Sequence, residues 1–151
     1  MEHLSKAIVH RPISAIELTD LFLGEQIGFG MSRQVYEFNL DKTKVVKHET
    51  GDAFQNMIEW EIWKAIQETP MKKWFAPCHA ISPNGQFLIQ SKVEQIPRKQ
   101  YPKKIPDFFH DTKYQNFGML NGKFVCFDYG TMNLIRENWN KRMVKVDWWN
   151  E

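Results

Sequence analysis

The chain has 151 residues, 42% hydrophobic and 14% aromatic, which suits one packed domain and excludes a disordered segment. Twenty Lys and Arg against eighteen Asp and Glu leave a formal charge of +2, so charge gives no argument for a nucleic-acid or membrane partner. No stretch of eighteen apolar residues and no signal-peptide-like run occurs, and the expectation is a soluble, cytoplasmic protein.

In chain order, SAIELTDLFL (14–23) begins with Ser14 and Glu17 at capping-box spacing, which predicts a short helix leading into a strand. Three short runs of strand type follow, FLGEQIG (22–28), RQVYEFN (33–39) and KTKVVKHE (42–49). The last two are joined by a turn at NLDK, and three antiparallel strands are the economical reading. Residues 51–70 change to a helical period, with Phe54, Ile58, Ile62 and Ile66 recurring every four positions, Asp52 able to cap the start and Pro70 just beyond the end.

Two strand pairs come next: CHAIS with QFLIQSKV around PNG (83–85), and FGML with KFVCFD around Asn121-Gly122, both turns suiting residues with positive φ. Between the pairs, 94–106 is a Pro-rich basic connector without helical period. Its Arg98, Lys99, Lys103 and Lys104 read as a solvated loop rather than a nucleic-acid contact. The tail, with Trp139, Trp148 and Trp149, is expected to pack on the domain's own core, a homo-oligomer contact being the other reading. Cys78 and Cys126 lie in apolar runs without metal-ligand spacing and are expected as buried free thiols; His79 and Met57 read as core residues. The class is α+β in one domain, 1–151: a sheet-rich part over about 22–93, the connector, polar loops over 107–130 and the tail over 131–151.

Several residues can carry chemistry. Gly28 and Gly30 lie between two strands, which argues against a dinucleotide-binding turn and leaves either a plain hairpin or a hairpin over phosphates. Lys47 ends an apolar strand and should project at an inner face, where an ammonium is costly unless an anion such as Glu59 meets it; a solvated strand-end lysine is the alternative. Asp111, Asn116 and Asp128, in DTKYQN and DYG, carry oxygens of the kind Mg2+ prefers, and Lys113 can balance charge on a transferred phosphoryl group.

The order of these residues resembles that of the protein-kinase superfamily. IGFGMSRQVY resembles the glycine-rich loop with its following valine, Val35; VVK resembles the third-strand lysine, EWEIW the helix glutamate, DTKYQN the catalytic-loop pattern DLKPEN and DYG the DFG motif. The likeness spans about Leu23 to Gly130 and implies a kinase-like fold with ATP and Mg2+ as cofactors. It implies that the backbone around Gly28 and Gly30 covers the phosphates and that Lys47, oriented by Glu59, contacts the α- and β-phosphates. Asp111 would be the catalytic residue facing the acceptor hydroxyl, with Lys113 steadying the γ-phosphoryl and Asn116 and Asp128 holding metal. FLIQSKV (87–93) resembles the strand and hinge along adenine, with Gln90 at the gatekeeper place and Ser91 to Val93 giving backbone bonds.

The pattern also departs from the family. Arg33 stands at the third loop glycine, adding a cation near the phosphates, and Phe109-His110-Asp111 stands at the HRD motif without its arginine. Residues 94–110 and 131–151 are too short for the family's usual carboxyl-terminal helices, a compactness that resembles small kinase-like proteins of phages and bacteria, which for a virus would act in the host cytoplasm. The function implied is an ATP- and Mg2+-dependent phosphotransferase, a serine/threonine protein kinase or autokinase of unspecified acceptor. The alternative is a pseudokinase that binds nucleotide or a host or cellular protein partner, and nucleotidyl transfer is a third reading.

Overall fold

The computed structural model describes residues 15–30, 32–133 and 142–150; the expected Ser14 cap and Trp139 lie outside the described residues. Helix α1 (Ala15–Phe22) leads into strands β1 (Leu23–Phe29), β2 (Arg33–Phe38) and β3 (Lys44–Glu49), as the runs predict. The turn before β3 is held by Asp41, whose carboxylate accepts the N–H of Thr43 at 2.9 Å. Helix α2 (Gln55–Ile66) follows, then β4 (Cys78–Ile81) and β5 (Phe87–Ser91). These strands form one five-stranded antiparallel sheet in the order β1-β2-β3-β5-β4. The described chain is therefore α+β, with this sheet and two α-helices.

Two expectations about α2 need correction. Phe54 does not begin a buried stripe: it is 63% exposed and sits in left-handed backbone at φ 54°, while Asn56, Glu59, Ile62 and Ile66 are the buried positions. Asp52 does not cap the helix either. Glu49, at the end of β3, accepts the N–H groups of Gln55 at 2.8 Å and Asn56 at 3.0 Å, satisfying two of the donors that a helix start leaves without intrahelical partners. Pro70 opens a short 3-10 turn, Pro70–Trp74, in which the Met71 N–H donates to the Thr69 hydroxyl at 3.2 Å.

The second half of the chain carries two small antiparallel pairs. Strands β7 (Phe117–Leu120) and β8 (Lys123–Cys126) form the expected hairpin, with Asn121 at φ 49° and Gly122 at φ 77° in the tight turn. The connector contains a strand that its Pro-rich sequence hid: β6 (Lys104–Pro106) pairs with β9 (Met143–Lys145), Ile105 opposite Val144. Aromatic rings dominate the core around this half, Phe75 meeting Phe108, Phe109 and Tyr129 at centroid distances of 5.8, 5.2 and 5.0 Å. Trp148 packs onto the same domain, against Tyr101 at 5.0 Å and Phe117 at 4.9 Å, in line with the plainer expectation for the tail. Cys78 and Cys126 are free and buried. Met57 is half-buried, while His79 is exposed, its ring Nε2 bonded to the Ser91 hydroxyl at 2.8 Å, so the reading of His79 as a core residue is wrong. Its place on β4 follows strand alternation: Cys78 turns inward and His79 outward. Among the described residues no helix is long and apolar enough to cross a membrane.

Candidate functional site

Strand register sets the first part of the site. Gly28 pairs with Val35, Val35 with Lys47 and Lys47 with Leu88, so one lateral row crosses β1, β2, β3 and β5. Side chains on paired positions share a face of the sheet, and Lys47 therefore projects beside half-buried Val35 with nothing but hydrogen on the Gly28 side. Gly30 lies at the exposed tip of the β1–β2 hairpin and donates its N–H to the Arg33 carbonyl at 2.7 Å.

Lys47 is 3% exposed, and its ammonium donates to Glu59 Oε2 at 2.9 Å, to Glu59 Oε1 at 3.2 Å and to the carbonyl of Phe127. Glu59 is fully buried on α2 and collects donors from four elements. Besides Lys47, its Oε1 accepts Arg33 Nη2 at 2.8 Å and the backbone N–H groups of Tyr129 and Gly130 at 3.1 Å each, while Oε2 accepts Gln90 Nε2 at 3.4 Å. Burial alone would raise the Glu59 pKa, yet the cations of Arg33 and Lys47 outweigh it and hold the carboxyl below its ordinary value. Gln90 is wholly buried behind Glu59.

Arg33 is the residue whose place in the site the sequence did not disclose. Its guanidinium points inward, 6% exposed, bonded to Glu59, to the Asp128 carboxylate and to Asn56 Oδ1 at 3.3 Å, partners that its place at the third loop glycine does not predict. Burial works against its charge, but Glu59 and Asp128 raise its pKa above the usual arginine value. A signal was present: strand alternation puts Arg33 on the face of Val35, and Val35 sits opposite Lys47. Asn56, also missed, ties α2 to the sheet by donating to the carbonyls of Lys47 and Gly85 at 3.0 Å each.

The second part of the site lies on the 111–128 segment. Asn116 is buried, its side-chain Nδ2 donates to Asp111 Oδ2 at 3.1 Å, and its carbonyl accepts the N–H of Phe127 at 2.9 Å and of Asp128 at 3.3 Å. That last pair of bonds joins DTKYQN to DYG, and the Asp128 side chain, 43% exposed, sits between the two parts. The structure thus brings Lys47, Glu59 and Asp128 together, with Asn116 and exposed Asp111 adjoining. Lys113 is joined to them through its backbone, its N–H donating to Asp111 Oδ1 at 3.4 Å and its carbonyl accepting the Asn116 N–H at 3.0 Å, while its ammonium lies 5.8 Å from the ring centre of Trp149. In the segment read as a hinge, half-buried Ser91 and exposed Lys92 donate their N–H groups within the fold, to Pro77 and Thr43, and Val93 is half-buried. Among the described residues no three His, Cys, Asp or Glu side chains gather as a metal cage. No protein-family model matches the chain, and the search of curated proteins finds no relative.

Proposed function

We propose that this chain is an ATP- and Mg2+-dependent phosphotransferase of the protein-kinase-like type, acting on a serine or threonine hydroxyl of a protein or of itself. The observation that carries the reading is the buried Lys47–Glu59 pair at 2.9 Å, seated on the β3 row next to the glycine hairpin and against Phe127-Asp128. A lysine fixed by a glutamate on the adjacent helix is suited to hold two oxygens of a polyphosphate at a set distance.

The donor set is also compatible with magnesium. Mg2+ is commonly held by one or two carboxylates together with substrate phosphates rather than by an all-protein cage. Asp128 offers a part-exposed carboxylate, and Asn116, whose Nδ2 is turned to Asp111, offers its amide oxygen. Bound there, the ion would neutralise charge on the phosphates. Asp111, exposed beside Asn116, is the group left to orient or deprotonate an acceptor hydroxyl.

A second reading is favoured by one specific contact. The Arg33–Asp128 ion pair puts a cation of the protein on the carboxylate that would otherwise hold metal, which suits a pseudokinase that binds nucleotide without transfer. Incubation with Mg2+ and ATP labelled at either the γ- or the α-phosphate separates the readings. Label from γ alone, lost in Lys47→Ala and Asp128→Asn, is the expected result; label from α indicates nucleotidyl transfer, and thermal stabilisation by ATP without label indicates the pseudokinase. The absence of both stabilisation and label would sink the proposal.

A further inference from the structure

Arg33 is held by three groups of different kinds. Glu59 and Asn56 belong to α2 and are fully buried, whereas Asp128 belongs to the DYG turn and has a part-exposed side chain. Its contacts are therefore unequal: two are to fully buried groups, and one is to a part-exposed carboxylate for which a solute can compete. We infer that Arg33 is a specificity-determining gate at Asp128, an internal guanidinium that a divalent cation must displace before it can bind. This rests on the reading of Asp128 as a metal ligand given above.

The physical argument is competition for one carboxylate. The contact with Arg33 engages Asp128 Oδ1, and a second cation brought to the same group meets both an occupied oxygen and a like charge beside it. Release of Asp128 does not expel Arg33 from the fold, because Glu59 Oε1 at 2.8 Å and Asn56 Oδ1 at 3.3 Å remain to anchor it. The Nη2 donor that Asp128 gives up is then available to another acceptor. An anionic ligand arriving with the metal, such as a nucleotide polyphosphate, supplies the acceptors that the guanidinium has given up. Metal alone should therefore bind poorly, and metal with polyphosphate well.

The test reads metal binding directly, by titrating Mn2+ through its electron paramagnetic resonance signal, with and without ATP. Without nucleotide, Arg33→Gln is expected to bind Mn2+ at least about tenfold more tightly than wild type, the scale of one charge-assisted contact removed. Adding Asp128→Asn to that variant should abolish the gain. Equal Mn2+ affinity in wild type and Arg33→Gln overturns the gate alone, while a protein that binds no Mn2+ even with ATP overturns the gate and the proposed function together. Because Arg33→Gln removes a buried charge, a wild-type measurement accompanies it. The Arg33 side-chain Nε–Hε resonance should shift and lose exchange protection when Mg2+ and ATP are added, and a resonance unchanged at saturating Mg·ATP overturns the gate.

Discussion

The carboxylate of Glu59 accepts the backbone N–H of Tyr129 at 3.1 Å, across seventy positions of chain. The same oxygen takes the N–H of Gly130, so the DYG turn is fastened to α2 through its backbone, independently of the Asp128 side chain.

Removing that carboxylate should be costly. Glu59→Ala leaves Lys47 and Arg33 buried without their shared anion, and breaking a buried pair by deleting one partner costs about 3–5 kcal/mol. For a domain of ordinary stability that is a large fraction of the total. Urea unfolding should show the midpoint falling with the slope unchanged, whereas a loss under about 1 kcal/mol would mean the network is not formed in solution.

The same network predicts an acid limit. Glu59 has its pKa depressed below the ordinary value of 4.5, so the unfolded chain binds the proton more readily than the folded one. The associated stability is fully present above that ordinary value and is lost as the pH falls through the depressed folded value. Thermal unfolding temperatures should drop more steeply in wild type than in Glu59→Gln as the pH is lowered below about 4.5, since only the wild type carries the linked proton. Parallel pH profiles for the two proteins would contradict it.

Parts of this architecture were legible because they are local. The inward projection of Lys47 follows from its place in an apolar strand, and the β7–β8 hairpin from an Asn-Gly pair tolerating positive φ. The α2 start was misread because the capping carboxylate comes from Glu49 on β3, not from the residue in the cap position. Strand β6 was hidden because three residues ending in Pro106 carry no alternation and find their partner, β9, far along the chain. Arg33 was placed correctly on β2, but its partners lie 26 and 95 positions away, beyond any spacing rule.

Both thiols should be silent in the native protein. Burial pushes the Cys78 thiol up to about 12 and the Cys126 thiol well above its ordinary value, with Glu59 and Asp128 respectively adding to the effect. The reactive thiolate is therefore scarce at neutral pH. A disulfide exchange reagent at about pH 8 should give no fast reaction with the folded chain and should titrate both cysteines on denaturation. Rapid reaction of either thiol before unfolding would show that the core opens there.

The tail supplies the last prediction, because it holds the 112–115 loop from outside. Trp149 accepts the Tyr114 N–H at 2.9 Å and donates to the Thr112 carbonyl at 3.3 Å, while the Trp148 indole N–H donates to the Pro102 carbonyl at 2.9 Å. Tyr101 backs the same loop, its hydroxyl placed 2.8 Å from the Tyr114 carbonyl and 2.7 Å from that of Phe117. Trp148→Ala removes a ring packed edge-on against Tyr101, Phe117 and Phe124, and a loss of about 3 kcal/mol is expected, the low end for a large aromatic because Trp148 keeps some exposure. Trp148→Phe should recover most of the packing and forfeit about 1 kcal/mol for the hydrogen bond to Pro102. Amide exchange separates a clamp from general destabilisation: in Trp148→Ala the Tyr114 N–H should exchange faster by more than the global loss explains, while β3 amides track that loss. If Tyr114 and β3 change together, the tail contributes to the core and does not position the loop.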